Sequence, residues 1–502
     1  MKMNKLQTIF KGTSGDSFFL MSVRMVTMVF SLLMTRVLSG HFSLQDYGTY
    51  SQVMLLTTTL SSVTKFGLMD GVNFFFCREQ DEQKRNSYIS TIFFLQYAAS
   101  AVTSLVLLSC TVPIAGYFGN ESLKSLIIFA AVLPVLENTI SLLQIMFIAV
   151  GKAKLIAVRN LVVSVLKLVA IMLACYVFDN IVVLLLWQTL MDTAQVVYFV
   201  FSLRKHNCRF NIFRFDKSLI KEILVYCIPM AMFSVIKTLN RDADKFVISF
   251  FTDTETLAVY TNASKVLPFD IVMASFCTVL VPYITRFIAS KKYDATATLY
   301  RSFLEVSYIS TTILAVGAIC IAPELMRFLY TDKYTAEAFG IIVFIIYMLV
   351  DIIGVLNITL ILSAAGKTKT VMLVSIGSFA ANIAGNIVLF FALREVGPAL
   401  TTLLVTLIQG IVMLSLCARE IKTKISGLLL GKPLLLFLGQ LLVCFALASG
   451  LRMLLNRLHL HYTVVLILVY GVFAGAMFLL NFRRLMGVLG TINRCKAEEP
   501  AT

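Results

Sequence analysis

The chain has 502 residues, of which 59% are apolar before glycine is counted and 14% are charged, and its mean hydropathy is +0.87. A soluble chain sits near 45–50% apolar with glycine included and carries about 25% charge, so the solvent for most of this chain is lipid and a soluble enzyme is excluded. The net charge of +16 does not point to nucleic acid, because lysine and arginine fall in short clusters between apolar runs, as in loops that face anionic headgroups.

In chain order, the start MKMNKLQTIFKGTSGD is basic and then polar. The apolar run that follows is too long for a signal-peptide core and has no small-residue cleavage site, so it reads as a first helix that stays. A span takes roughly 20 apolar residues at about 1.5 Å each. Such runs fall at 16–39, 47–69, 88–112, 122–149, 154–178, 181–203, 219–250, 257–288, 300–322, 338–363, 370–393, 398–418, 431–451 and 462–482. The expected fold is therefore an all-α polytopic membrane protein of about fourteen transmembrane helices. Pro134, Pro229, Pro268 and Pro282 lie inside spans and each marks a candidate kink. Ten cysteines are scattered without C-x-x-C spacing and the four histidines sit in loops or at helix ends, so no disulfide frame, metal site or cofactor is expected.

Loop charge sets orientation. With the N-terminus in the cytoplasm, 29 of the 43 basic residues fall on that side and 5 on the other, which fits an even number of spans with both ends inside. An internal repeat is also legible. Gly151-Lys152-Ala153-Lys154 opens the fifth span and Gly366-Lys367-Thr368-Lys369 opens the eleventh. Val37-Leu38-Ser39 with Tyr50 recurs, at nearly the same offset, as Val247-Ile248-Ser249 with Tyr260. That offset equals six spans, so the halves share an orientation, as in alternating-access transporters built from parallel repeats. The expected organisation is a six-helix bundle over 1–203, a basic cytoplasmic linker at 204–218, a second six-helix bundle over 219–418, and a terminal helix pair with a cytoplasmic tail at 419–502.

Ionisable groups inside hydrocarbon are expensive and ask for a reason. Arg36, Lys65 and Lys124 lie near span ends, where snorkelling explains them. Arg24 lies deeper and shares a stripe with Thr27, Ser31 and Thr35 at 100° per residue, which faces either a cavity or a buried ion pair. Ser234, Lys237, Arg241 and Asp244 line one face of the seventh span, with Lys245 beside them, and Lys265 and Lys167 add charge from other spans. Pairing of Arg241 with Asp242 or Asp244 is the structural alternative to a cationic cavity for an anionic ligand. The acids Glu137, Asp192, Asp244, Asp270 and Asp351 either carry H+ or Na+ for coupling or neutralise the lysines. Asn382 and Asn386 suit hydrogen bonding between helices.

Three ordered segments resemble the bacterial polysaccharide flippases of the multidrug/oligosaccharidyl-lipid/polysaccharide exporter superfamily. They are Thr35-Arg36-Val37-Leu38-Ser39 with Tyr47-Gly48-Thr49-Tyr50, then Asp244-Lys245-Phe246-Val247-Ile248 with Tyr260 and Ala263, and Gly366-Lys367-Thr368-Lys369 with Asn382, Asn386 and Gly397-Pro398-Ala399. The last departs from the more usual Gly-x-x-Gly-Ala form. The resemblance implies movement of undecaprenyl-pyrophosphate-linked sugar repeat units across the inner membrane for O-antigen, capsule or exopolysaccharide assembly. The implied partners are membrane lipid, that polyprenyl-pyrophosphate-linked oligosaccharide, a polymerase and other glycan-assembly proteins. A pyrophosphate is a strong anion that arginine and lysine recognise, which nominates Arg24, Lys237, Arg241, Lys245 and Lys265. The competing readings are a drug or metabolite antiporter, which expects an acidic cavity, a membrane glycan polymerase or ligase, which expects a large outer loop, and a non-transporting scaffold.

Overall fold

A computed structural model describes residues 13–497 apart from 66, 79–80, 150–152, 206–213, most of 266–289, 331, 335–337, 358 and 429–430. The fold is all-α, and ten helices among the described residues are long and apolar enough to cross a membrane. The chain divides into two compact units, Met1–Asp242 with Ser249–Ala258 and Ala243–Ile248 with Val259–Thr502.

The first unit opens with α1 (Thr13–His41) and α2 (Leu44–Thr64). The expected span 47–69 stops short because Gly67 adopts φ 63, a left-handed turn that glycine takes without strain, and a new helix α3 (Leu68–Arg78) begins. Asp81 caps α4 (Glu82–Ser109), accepting from the Gln83 N–H at 3.0 Å. Next come α5 (Thr111–Phe118), α6 (Leu123–Ala130) and α7 (Leu133–Ala149). The single span expected over 122–149 is present as one candidate crossing, Leu123–Phe147, with a turn at 131–132 just ahead of Pro134, which cannot donate to the preceding helical turn. Then α8 (Ala153–Leu173) ends in a π-turn, Ala174–Phe178, before α9 (Ile181–Lys205). The long helix α10 (Lys217–Phe251) carries Pro229 within it and is followed by α11 (Thr254–Ala263), and their Ala243–Ile248 and Val259–Ala263 segments are counted in the second unit. Pro268 and Pro282 lie outside the described residues. Packing in this unit centres on Val72, Phe75, Ile92, Phe93, Leu143 and Phe147, with Phe199 and Ile223.

The second unit contains α12 (Tyr293–Cys320), α13 (Ala322–Tyr330), α14 (Ala338–Gly354), α15 (Leu360–Ala364), α16 (Thr368–Leu393), α17 (Val396–Glu420), α18 (Ile425–Leu428), α19 (Gly431–Arg457) and α20 (Tyr462–Ala497). The terminal helices α19 and α20 pack on α12. Ile309, Ile313 and Val316 meet Phe437, Val469, Phe473 and Met477 there. Two ion pairs reinforce this packing. Arg484 on α20 binds Glu305 on α12, and Arg452 on α19 binds Glu324 on α13 at 2.8 Å with Asn456 adding a hydrogen bond at 3.2 Å.

The repeat reappears in the element boundaries. His41 and Phe251 end their helices at the offset seen in the sequence, and Leu44 and Thr254 begin the next ones with the same spacing. The capping residues match as well: Ser43 accepts from the Asp46 N–H at 3.0 Å, and Asp253 accepts from the Thr256 N–H at 2.7 Å.

Close packing also explains Gly397. A Cβ there would stand 2.1 Å from the Leu389 carbonyl oxygen, a backbone atom that cannot swing aside, so glycine is what lets α17 turn tightly against α16. Gly397→Ala is expected to destabilise the protein by about 1–3 kcal/mol, the usual range for overpacking. Thermal melting of the detergent-solubilised protein measures this. Gly377→Ala is the control, because a Cβ there meets nothing within 4 Å.

Candidate functional site

Each unit buries its own polar cluster. In the first, α2, α7, α8 and α9 converge on charged groups. Glu137 on α7 lies beside Ser61 on α2 and within electrostatic reach of Lys65, just past α2, and of Lys167 on α8. Asp192 on α9, 4% exposed, accepts from Gln195 Nε2 at 2.8 Å and lies in the field of Lys167 and Arg159. The guanidinium of Arg159 sits 4.9 Å from the centre of the Phe199 ring and donates to Asn160 Oδ1 at 2.7 Å. Three cations thus lie near two acids, and attraction between them offsets part of the cost of placing charge among apolar helices.

An uncharged network lies alongside. Asn138, fully buried, donates through Nδ2 to Ser100 Oγ at 3.0 Å and Thr64 Oγ1 at 3.3 Å. Gln96 Nε2 donates to the Thr64 carbonyl at 3.0 Å and Ser100 Oγ at 3.1 Å. These bonds lock α2, α4 and α7 together beside the charged cluster.

The charged cluster borders a cavity of about 170 Å³ whose lining includes Tyr50 on α2, Lys167 on α8, and Trp187 and Gln188 on α9, with Met34, Met54 and Met191 completing an apolar wall.

In the second unit the centre is Asp244, 1% exposed near the end of α10. Its Oδ2 accepts from the hydroxyl of Tyr260 at 2.9 Å and from that of Tyr347. Tyr347 is also joined to Thr402 on α17. Beside this cluster, Lys265 lies within electrostatic reach of Lys245, although the two belong to different expected spans.

Of the cations the sequence nominates, the structure gives Arg241 an ion pair with Asp242 at 2.9 Å and leaves its side chain largely exposed. Lys245 and Lys265 come together, as above. The side chains of Arg24 and Lys237 lie outside the described set, as does Asp270 altogether. Among the acids, Glu137 and Asp192 share one cluster and Asp244 forms another, while Asp351 is half-buried on α14. On the Arg24 stripe, Thr35 turns its hydroxyl back onto the Ser31 carbonyl at 3.0 Å. Asn386 is fully buried, and its amide makes no hydrogen bond among the described residues.

Tyr347, Trp187, Arg159 and Lys65 belong to these clusters without standing out as site residues in the sequence. Lys65 reads there as a membrane-interface residue and Arg159 as a loop residue, although both lie within one helical turn of an apolar run. Trp187 carries one usable signal, because it is the chain's single tryptophan and lies next to a glutamine inside a span.

Comparison with known proteins places this architecture. The probable lipid II flippase MurJ of Rickettsia prowazekii (strain Madrid E) is 21% identical over 282 residues, covering 53% of this chain and 53% of that protein. The chain spans about half the length of the curated relatives it matches. A solved lipid II flippase MurJ in an inward closed conformation has the same fold, with a TM-score of 0.70 at 16% identity over 92% of this chain and 99% of that one. An inward-facing multidrug resistance MATE family transporter of the MOP superfamily follows at a TM-score of 0.64 and 11% identity, over 81% of this chain and 99% of that one. Residues 33–338, more than half of the sequence, match the family described as polysaccharide biosynthesis protein. This multi-pass membrane chain, with the MurJ- and MATE-like fold, belongs to the polysaccharide biosynthesis protein family.

Proposed function

We propose that the protein is a flippase that carries polyprenyl-pyrophosphate-linked oligosaccharide repeat units across the bacterial inner membrane, by alternating access, for O-antigen, capsule or exopolysaccharide assembly. The observation that carries this reading is the Lys245–Lys265 pair. Two ammonium groups within electrostatic reach suit a diphosphate, with its many acceptor oxygens and high charge. Family membership supplies the glycan, and the MurJ-like fold supports a lipid-linked carrier. Arg24, Lys237 and Arg241 are proposed as further partners of the headgroup. Both termini are proposed to be cytoplasmic, from the loop-charge bias.

Coupling to H+ or Na+ is proposed to use Glu137, Asp192 or Asp244, the described acids embedded in polar clusters. A cationic-drug antiporter is disfavoured by the first unit, where Lys65, Arg159 and Lys167 outnumber Glu137 and Asp192.

The test is a chromosomal deletion complemented with variants. Loss of the protein is expected to trap lipid-linked glycan on the inner leaflet and abolish surface polymer. Lys245→Gln with Lys265→Gln is expected to give the same phenotype at normal protein level, with at least a tenfold fall in polymer. Wild-type polymer from the double variant would remove the headgroup site. Drug sensitivity of the deletion strain with intact polymer would replace the flippase reading with an antiporter.

A further inference from the structure

The cavity inside the first unit has a chemistry that the headgroup site does not use. Its volume, about 170 Å³, is close to that of an engineered cavity of about 150 Å³ that binds benzene, so it accommodates one six-membered ring. Its walls are amphipathic. Trp187 presents an indole, Tyr50 a phenol, Gln188 an amide and Lys167 an ammonium, against methionine side chains. Neither the Gln188 amide nor the Trp187 indole N–H makes a hydrogen bond to another described residue, although each is half-buried and borders the cavity. A side-chain amide offers two donors and an acceptor, and an indole offers one donor. At the half-buried rim of the cavity these groups are available to a polar guest.

A sugar ring has the chemistry such walls can hold. Its hydroxyl rim needs donors and acceptors in a fork, which Gln188, Lys167 and Tyr50 provide. One face of a pyranose carries only C–H bonds, and their partial positive charge suits the negative face of an indole. A cationic drug is a poorer match, because the three nearby cations exceed the two acids behind the wall. A lipid tail would leave the amide and indole donors unpaired.

We infer that this cavity is a glycan subsite, with Trp187 as the stacking platform and Gln188 and Lys167 as hydroxyl partners for one pyranose of the transported repeat unit. The inference rests on the flippase reading and adds to it a binding site for the sugar, held in the first unit, apart from the Lys245–Lys265 pair in the second.

Because Trp187 is the chain's only tryptophan, its fluorescence reports on this cavity alone. The full-length protein in lipid nanodiscs is titrated with methyl glycosides of hexoses, N-acetylhexosamines, 6-deoxyhexoses and uronic acids, and separately with sugar-free undecaprenyl pyrophosphate. A saturable spectral shift with at least one glycoside is expected. Gln188→Ala is expected to weaken that glycoside about tenfold, the loss of one or two hydrogen bonds, and Lys167→Met is expected to weaken it similarly. Neither variant should change binding of the sugar-free lipid, followed by equilibrium dialysis with radiolabel. If no glycoside shifts the emission while the sugar-free lipid binds, the subsite is wrong and the flippase reading stands. If neither ligand binds, both fail. A glycoside response unchanged in both variants puts the sugar elsewhere and overturns the inference, as does a response to ethidium in place of sugars.

Discussion

Asp244→Ala is expected to yield far less folded protein in the membrane than wild type, and the fraction that survives should melt several degrees lower. The carboxylate is 1% exposed, and its Oδ2 receives both the Tyr260 and Tyr347 hydroxyls. Alanine removes the acceptor that both tyrosines share and leaves their hydroxyls only each other and Thr402 as partners, a loss of about 1–3 kcal/mol. Polar bonds in membrane proteins average less than this, because the unfolded chain in lipid finds other partners, so the lower part of that range applies. Asp244→Asn separates structure from charge. Its amide oxygen can still accept both hydroxyls, so its melting point should stay close to wild type. Any fall in surface polymer in that variant then reports the lost charge. Tyr347→Phe removes one donor and should cost less than Asp244→Ala. Fluorescence-detected melting of the solubilised variants decides the matter, and wild-type stability in Asp244→Ala would show that the tyrosines are held by something else.

The second large effect is expected at the attachment of the terminal helices. Arg484 and Glu305 are mostly buried, and their side chains are 22% and 15% exposed. Removing one partner of a buried pair costs about 3–5 kcal/mol, because the other charge stays behind. Arg484→Ala should therefore loosen α20 from α12. Arg484→Met with Glu305→Gln removes both charges and should recover most of the loss, since hydrophobic replacement of a whole pair is close to neutral. Local detachment is read by the rate at which a cysteine placed at Met477, buried against α12 in the native packing, reacts with a membrane-permeant maleimide. Faster labelling in Arg484→Ala and wild-type rates in the double variant are the expected pattern. Equal rates in all three would mean that apolar packing alone holds the helix pair.

The membrane class, the all-α fold and the repeat were legible in the sequence because each depends on a property summed over many residues. Hydropathy over a whole span is insensitive to which neighbour a side chain meets. The repeat offset came from short matches, and the helix ends His41 and Phe251 reproduce it because the same capping chemistry recurs at Ser43 and Asp253. Short interruptions were less legible. Gly67 ends a helix inside one expected span and Pro134 follows a turn inside another that still crosses as Leu123–Phe147, and their effect depends on a single backbone angle or a single missing donor.

The sites divide in the same way. The sequence marked Glu137, Asp192, Asp244, Lys245 and Lys265 as groups that need a reason to be in a membrane, since the cost of burying charge is a property of the residue itself. Tertiary structure alone decided their partners. Tyr347, far from Asp244 along the chain, becomes its ligand only when α14 packs beside α10, and Lys167 meets Glu137 and Asp192 only when α7, α8 and α9 converge. Hydrogen bonds and ion pairs act over a few ångströms, so they depend on which helices touch and in what rotation, and no local pattern along the chain encodes that.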